Sequence, residues 1–335
     1  MPDTQHATRN AQRPASPASG LPSPFPAWVK TAGVLAPAGA VTPERLDAGC
    51  RQLEEWRLRV VEGEGETRQT LPRLQSTPHR FFSAPDAARL EALHALLRNP
   101  QADVLLPLRG GYGCARLLDG LDRDLVRRAN KPLVGYSDIT ALHLAFFACG
   151  VRNGLSGPMP GVEFARDLPD TPGARDGLAF TVRSFAEAWT PRASVSLPPG
   201  TRLEVLRAGR AQAPVIPVNL TVLLTLAGTR HMPDLTGTIL VVEDVNEPAH
   251  AVDRDLNHLR QLGVLERLAG LIFGRFSKAE DAQWLPEIFA EYAGFVDGPV
   301  VGGFPYGHEL PLVTVPVGRT ATLEAAPDGT VSVAW

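Results

Sequence analysis

The chain has 335 residues, of which 44% are hydrophobic and 21% are charged, as in ordinary soluble globular proteins. The net charge of -3 comes without a dense run of Lys or Arg, so nothing favours nucleic acid or an anionic membrane as partner. The sequence contains no stretch of about 18 apolar residues, so no membrane span is predicted. The three cysteines (Cys50, Cys114, Cys149) are widely spaced and odd in number, which favours a reducing compartment over a disulfide framework.

The length of the chain predicts two domains. Residues 1–28 are rich in proline, alanine and serine, which predicts a flexible extension that buries no core. They lack the apolar stretch of a signal peptide. We predict an N-terminal α/β domain over residues 29–160 and a second domain over residues 205–335. The proline-interrupted stretch 161–204 is predicted to connect them, and its residues 177–189 are compatible with a helix.

Strands and helices alternate in the first predicted domain. Its predicted strands are short and apolar, at residues 33–37, 59–61, 104–106 and 133–134. A first helix is predicted after Thr42, an N-cap residue followed by Pro43. A second spans residues 86–98 and ends at Asn99-Pro100, and a third follows Ser137. This alternation indicates a parallel sheet covered on both faces, in which ligands bind beyond the carboxyl ends of the strands.

The second predicted domain has the same alternation. Its predicted strands cover residues 238–242, 271–273 and 300–301, and its predicted helices cover residues 220–227 and 284–292. The first of these strands ends in Glu243-Asp244, and the last opens into a glycine-rich loop that ends in His308. We therefore expect both side chains at a ligand-binding edge.

Ser137 follows a short apolar strand and begins a helix. A hydroxyl on such a turn has the geometry of a serine nucleophile, because the side chain is exposed and backbone N–H groups point toward it. His308 is the candidate base, and Glu243 is the candidate acid that orients it. The candidate donors to an oxyanion are the backbone N–H groups of Gly110, Gly111 and Asp138.

Each of these residues also suits an ordinary structural role. Ser137 could simply cap the helix that follows it. Glu243 could form an ion pair with an arginine, and His308 could be a solvent-exposed residue of a loop. Gly110-Gly111 suits a plain turn. The G-x-S-x-G motif of standard α/β-hydrolases is absent, because Ile139 stands two residues after Ser137. The catalytic interpretation is favoured because all of these residues fall at strand ends.

Four motifs in this order carry a specific resemblance: Arg109-Gly110-Gly111-Tyr112-Gly113, Gly135-Tyr136-Ser137-Asp138-Ile139-Thr140, Leu240-Val241-Val242-Glu243-Asp244, and Gly307-His308 followed by Pro316-Val317-Gly318. The chain resembles the LD-carboxypeptidase family of serine peptidases over residues 33–324. That family includes the muramoyltetrapeptide carboxypeptidases and the microcin-C immunity peptidases.

The resemblance implies a triad of Ser137, Glu243 and His308, a flavodoxin-like N-terminal sheet, and an active site between two α/β domains. It implies a cytoplasmic enzyme, often a homodimer, without metal or organic cofactor. The implied reaction removes the terminal D-Ala of a murein tetrapeptide, and the alternative is hydrolysis of a peptidyl-nucleotide antibiotic. Such a carboxypeptidase must bind a free carboxylate, for which Arg109 and Arg116 are candidates. Tyr112 is a further candidate for substrate binding.

The sequence departs from the family pattern at two places. Ser156-Gly157-Pro158 stands where members usually carry His-Gly-Pro, and Pro217-Val218-Asn219-Leu220 stands where many carry Gly-Gly-Asn-Leu. Neither departure touches the predicted triad. Both are expected to reshape the substrate cleft.

Other functions have weaker support. A nucleotide-binding protein would need a phosphate loop, and the nearest match, Gly63-Glu64-Gly65, lacks a third glycine and is acidic. Metal-dependent hydrolysis would rest on His250, Asp253 and His258, which match no established ligand spacing. A non-catalytic peptide-binding module has no need to keep Ser, Glu and His together. Cys114 is interpreted as a small apolar filler rather than a nucleophile.

Overall fold

The computed structural model describes residues 16–62, 80–165, 168–169 and 171–335. The Gly63-Glu64-Gly65 stretch and residues 1–15 of the predicted extension lie outside these ranges. The described chain is a mixed α/β structure with a parallel N-terminal sheet and a larger C-terminal sheet. In the described part, no helix has both the length and the apolar composition needed to cross a bilayer.

The N-terminal sheet confirms the predicted parallel arrangement. It consists of β1 (Thr31–Leu35), β2 (Arg59–Val61) and β3 (Val104–Pro107), in the order β2-β1-β3. Leu133 bridges β3 in parallel, and Val134 bridges β4 (Gly154–Ser156) in parallel. The resulting spatial order is that of flavodoxin-like sheets. The predicted strand at 133–134 is thus present only as two bridges, because each of its residues pairs with a different neighbour.

Helices cover both faces of this sheet, and capping residues set where they begin. They are α1 (Pro43–Glu55), α2 (Asp86–Arg98), α3 (Arg123–Ala129) and α4 (Thr140–Ala148). The Thr42 hydroxyl caps α1 by accepting from the Arg45 N–H, as predicted. Alternate residues of β1 belong to different core clusters, with Val34 in the one that contains α1 and Leu35 in the one that contains α2 and α4.

Residues 16–28 correct the prediction of a flexible extension. The Ser16 hydroxyl donates to the carbonyl of Phe164 (2.7 Å), and the Phe25 ring packs edge-on against Phe185 (centroids 5.2 Å apart). The Trp56 indole also donates to the carbonyl of Leu21 (2.9 Å). The composition of the segment suggested flexibility, but a few apolar side chains between the prolines are enough to anchor it.

The predicted connection contains a long helix, α5 (Pro172–Ala188), which begins five residues before the predicted one. The Thr171 hydroxyl caps it, and Leu178 and Phe185 pack in the core cluster that contains α1. On its other side, the Thr181 hydroxyl accepts the N–H of Leu312, and the Ser184 hydroxyl accepts the N–H of Thr314. The helix therefore joins the two halves of the chain.

The C-terminal sheet has seven strands in the order β12-β11-β6-β7-β8-β9-β5. The strands are β5 (Glu204–Arg207), β6 (Gly209–Asn219), β7 (Ile239–Val245), β8 (Gly270–Ser277), β9 (Val300–Gly302), β11 (Thr320–Ala325) and β12 (Val331–Ala334). The strands β6 to β9 are parallel, and the outer pairs are antiparallel. The short β10 (Val315–Val317) pairs with β4 of the N-terminal sheet.

The helices of this half are α6 (Leu220–Thr225), α7 (Ala249–Gln261) and α8 (Leu285–Ala293). The strands predicted at 238–242, 271–273 and 300–301 are confirmed, and so are the helices predicted at 220–227 and 284–292. The sequence did not predict β6, whose 11 residues begin in an exposed, polar stretch and contain two prolines.

One buried arginine holds together the loops that follow β1 and β3. Arg89 of α2 is 1% exposed, and its guanidinium donates to the carbonyls of Pro37, Ala84 and Gly113. It also pairs with Asp86. Gly113 closes the Arg109–Gly113 loop, so this guanidinium fixes the base of the glycine-rich segment.

We expect Arg89→Ala to lower the free energy of unfolding by about 3 kcal/mol, because several buried carbonyls lose a charged donor. Arg98→Ala, at an exposed position of the same helix, should cost under about 0.5 kcal/mol. Urea denaturation of both variants measures the difference. Equal stability of the two variants would contradict this role of Arg89.

Candidate active site

A cleft of about 400 Å³ lies between the carboxyl ends of the two sheets. Five of the residues predicted for the site line it: Arg109, Gly110, Gly111, Ser137 and His308. The N-terminal half supplies the first four, and the C-terminal half supplies His308. Glu243 lies behind His308 and is fully buried.

Ser137 has a strained backbone. Its φ of +63° is in the left-handed region, which costs a non-glycine residue of order 1–3 kcal/mol. The residue opens a short 3₁₀ turn that leads into α4, and Gly135 before it has a φ of +149°. Strain of this kind is typical of a side chain lifted onto a strand-to-helix turn.

The glycine-rich loop passes directly beside Ser137. A Cβ at Gly110 would lie 2.9 Å from the Ser137 Cβ, 3.0 Å from its Oγ and 3.2 Å from the Asp138 backbone nitrogen. The Gly110 carbonyl accepts the N–H of Gly39 (3.3 Å), which holds the loop in place. Only glycine leaves room for the Ser137 hydroxyl beside this backbone.

Two buried side chains that the sequence did not identify as supports hold the Ser137 turn. His143 donates from Nε2 to the carbonyl of Gly135 (2.7 Å), and burial lowers its pKa to about 4. The carboxylate of Asp138 accepts the N–H of Cys114 (2.8 Å), and burial raises its pKa. The side chain of Asp138 therefore faces away from the cleft, and only its backbone nitrogen lies near Gly110.

The His308 imidazole donates from Nδ1 to Glu243 Oε2 (2.7 Å). Glu243 is the fifth residue of β7 and pairs in register with Asn219 at the end of β6. The Asn219 amide donates to Glu243 Oε1 (3.2 Å) and to Asp244 Oδ1 (2.9 Å). The Tyr136 ring packs edge-on against His308, with centroids 5.0 Å apart. The imidazole is thereby fixed from both halves of the chain.

The electrostatics of this pair favour a charged imidazole. Burial raises the pKa of Glu243. Burial also acts to lower the pKa of His308, but the hydrogen bond and the charge of Glu243, with Asp244 beside it, outweigh burial and raise that pKa. Because Nδ1 donates to Glu243, the other nitrogen, Nε2, is left to accept a proton. In the described residues, no hydrogen bond joins it to the Ser137 hydroxyl, as is common in unliganded sites.

Other candidates lie outside the cleft. Tyr112 is 52% exposed and packs against Phe82. Arg116, the other candidate for carboxylate binding, forms an ion pair with Asp86 (2.6 Å). Burial raises the pKa of the Cys114 thiol well above its ordinary value, in agreement with its interpretation as a filler.

The positions of His250 and Asp253 do not support metal-dependent hydrolysis, the alternative function considered above. His250 and Asp253 lie at a surface depression of about 430 Å³ beside α7 and α8, and Asp253 accepts the hydroxyl of Tyr292 (2.8 Å). Over the described ranges, no three His, Cys, Asp or Glu side chains are grouped so that they could hold a metal ion.

Both departures from the family pattern lie at buried positions. The Ser156 hydroxyl forms a hydrogen bond with the hydroxyl of Tyr306 (2.7 Å) in the buried interface between the two halves. Tyr306 stands two residues before His308 in the chain. Pro217 and Val218 lie inside β6, next to the retained Asn219 that bonds Glu243. None of Ser156, Pro217 and Val218 lines the described cleft, and the hydrogen bond from His308 to Glu243 is present beside them.

We expect the buried His143 to make the protein acid-sensitive. Its folded pKa lies below the unfolded value of about 6.5, so the unfolded state binds a proton that the folded state cannot. Stability should therefore fall as the pH drops from about 6.5 to 4, by about 3 kcal/mol in total. Denaturant unfolding across this range should show a shallower pH slope for His143→Gln than for the wild type. The exposed control, His258→Gln, should keep the wild-type slope, and an unchanged slope in His143→Gln would contradict the prediction.

Comparisons with known proteins converge on one family. A family model described as the LD-carboxypeptidase N-terminal domain matches residues 32–157, and one described as the LD-carboxypeptidase C-terminal domain matches residues 212–323. The chain is 34% identical over 305 residues to the murein tetrapeptide carboxypeptidase of Pseudomonas aeruginosa, covering 87% of this chain and 92% of that protein. It is 30% identical over 301 residues to the probable murein peptide carboxypeptidase of Bacillus subtilis, covering 88% and 89%.

Two solved structures have the same architecture. The muramoyltetrapeptide carboxypeptidase from Oxalobacter formigenes superposes with a TM-score of 0.76 at 29% identity, covering 91% of this chain and 98% of that one. MccF in complex with glutamyl sulfamoyl guanosine superposes with a TM-score of 0.79 at 21% identity, covering 94% and 97%. Because its identity to this chain is only 21%, the similarity to MccF shows a shared fold alone.

Proposed function

Since this chain belongs to the LD-carboxypeptidase family, we propose that it is a serine-type carboxypeptidase that cleaves the L,D-peptide bond of a murein tetrapeptide and releases the terminal D-Ala. The observation that carries the proposal is that the strained Ser137 and the Glu243-bound His308 line the same cleft. Strain on a hydroxyl-bearing turn has no evident structural benefit, so it supports a catalytic role.

In the proposed first step, the Ser137 Oγ attacks the scissile carbonyl carbon while His308 Nε2 takes the hydroxyl proton. The carboxylate of Glu243 keeps the proton of the neutral ring on Nδ1 and stabilises the imidazolium once it forms. The backbone N–H groups of Gly110, Gly111 and Asp138 are proposed to meet the oxyanion, at about 3 kcal/mol per donor.

In the second step, the tetrahedral intermediate collapses, the C–N bond breaks and His308 returns its proton to the leaving amine of D-Ala. Water then attacks the acyl-Ser137 ester, with His308 again as base, and frees the shortened peptide. Atoms and protons balance without a cofactor, and the enzyme returns to its starting state.

Arg109 is the proposed site for the terminal carboxylate of the substrate. Its guanidinium donates to the carbonyls of Gly110 and Ala40 (both 3.2 Å) and lines the cleft beside Ser137. Among the described residues it has no carboxylate partner. A charge in this position suits the anionic end of a peptide, because guanidinium binds carboxylate through paired hydrogen bonds.

The setting of the enzyme is part of the proposal. We propose a cytoplasmic homodimer that acts on murein-derived peptides during cell-wall recycling and binds no nucleic acid. The buried free thiols of Cys50, Cys114 and Cys149 suit a reducing compartment. Light scattering of the purified protein tests the oligomeric state.

The proposal predicts that Ser137→Ala lowers kcat for D-Ala release by about 10⁴-fold or more while the fold is retained. Mass spectrometry of a digest of murein tetrapeptide measures the release. Ser332→Ala, at an exposed position of β12, is the matched control and should keep full activity. A Ser137→Ala protein with wild-type turnover would overturn the assignment. Turnover of a peptidyl-nucleotide but not of the tetrapeptide would keep the chemistry and change the substrate.

The pair of Glu243 and His308 predicts the pH dependence. His308 must be neutral to act as a base, and its pKa in the free enzyme lies above the ordinary value of about 6.5. We therefore expect kcat/KM to fall as the pH drops through that raised pKa. Glu243→Gln removes the charge that raises it, so the acid limb of the residual activity should move to lower pH while kcat falls about 10²- to 10⁴-fold. An acid limb at the same pH in both proteins would show that another group controls it.

A further inference from the structure

The C-terminal wall of the cleft is formed where β7 and β8 end side by side. Val245 pairs in register with Ser277, and the N–H of Asn246 donates to the carbonyl of Ser277 (2.9 Å). Just beyond the strands, Asn246 (φ +61°) and Lys278 (φ +56°) both adopt the left-handed conformation. Two adjacent non-glycine residues held in this region indicate a built feature at the rim of the cleft.

Ser277 and Lys278 present unused polar groups to this cleft. Both residues line it, and Ser277 is 5% exposed. Its buried hydroxyl has no hydrogen-bond partner among the described residues, a situation that costs about 1–3 kcal/mol. Lys278 is exposed, and over the same residues its ammonium group has neither an ion-pair nor a hydrogen-bond partner. The two side chains together offer a cation and a hydroxyl to a ligand.

The charges of the cleft are unbalanced. Arg45 and Arg109 lie on the N-terminal wall and Lys278 on the C-terminal wall, whereas Glu309 is the one acidic residue that lines the described cleft. The carboxylate of Glu243 lies behind His308 and is paired with it. Cations on two opposite walls favour a ligand that is anionic at more than one point, because one carboxylate beside Arg109 leaves Lys278 without a partner.

We propose that Lys278, with the hydroxyl of Ser277, binds a second free carboxylate of the substrate, carried by the acyl part of the peptide rather than by the leaving D-residue. The inference rests on the proposed function and adds a specificity element to it. The ammonium group supplies the charge, and the Ser277 hydroxyl gains the acceptor that it lacks in the free protein. The enzyme thereby selects peptides whose acyl part is acidic.

The test compares two tetrapeptides that end in D-Ala. One carries free carboxylates on the side chains of its acyl part, and in the other those carboxylates are primary amides. The terminal carboxylate is free in both. Wild-type enzyme should favour the acidic peptide in kcat/KM by about 10- to 100-fold, mainly through KM, as expected for a hydrogen bond to a charged group.

Lys278→Gln should lose this preference by lowering kcat/KM for the acidic peptide alone, and Lys278→Arg should restore most of it. Ser277→Ala should act in the same direction by a smaller factor. Lys30→Gln, at an exposed position remote from the cleft, should behave as wild type. Equal loss for both peptides, or no loss for either, in a folded Lys278→Gln protein would overturn the proposal.

Affinity measurements test the carboxylate site independently of whether the protein releases D-Ala. Calorimetry with Ser137→Ala protein measures the affinity for the two peptides without turnover, alone and combined with Lys278→Gln. A preference for the acidic peptide that Lys278→Gln removes would support the carboxylate site even if the wild type released no D-Ala. Equal affinity for both peptides in Ser137→Ala would overturn the carboxylate site whatever the turnover.

Discussion

The hydrogen bond between the fully buried Glu243 and His308 is the interaction on which the rest of this structure depends. A carboxylate with no exposed surface is tolerated only when its oxygens are satisfied, since desolvation of a charge is costly. One oxygen of Glu243 bonds His308, and the other bonds the amide of Asn219. The contact with Asn219 depends on the parallel register of β6 and β7, which pairs Asn219 with Glu243.

The other half of the candidate site is set by backbone strain rather than by charge. Ser137 is held in the left-handed region by the turn that His143 anchors from below. Contacts across the interface then bring the halves together, since the Thr140 hydroxyl accepts the N–H of Asn219 (3.0 Å) and the Tyr136 ring packs on His308. The cleft is therefore a property of the interface between the two sheets, and a change in their packing alters the distance between serine and imidazole.

The sequence predicted those helices and strands that are marked locally by an N-cap residue or by a run of apolar residues. Thr42-Pro43 located the start of α1, and apolar strands predicted the parallel sheet. Their places at strand ends pointed to Ser137, Glu243 and His308, and the motifs of the family strengthened that interpretation. In the structure Ser137 and His308 line one cleft, and Glu243 bonds His308. The roles of His143 and Asn219 depend on contacts between segments far apart in sequence, which no local pattern encodes. The packing of residues 16–28 was missed for the same reason.

Whether Ser137 and His308 act as one unit is the central question for this enzyme. The most direct measurement is kcat/KM for D-Ala release by Ser137→Ala, His308→Ala and the double variant. Residues that act together in one proton transfer give non-additive losses, so the double variant should be no slower than Ser137→Ala alone, to within about threefold. Losses that multiply in the double variant would show that the two residues contribute independently, and would contradict the proposed mechanism.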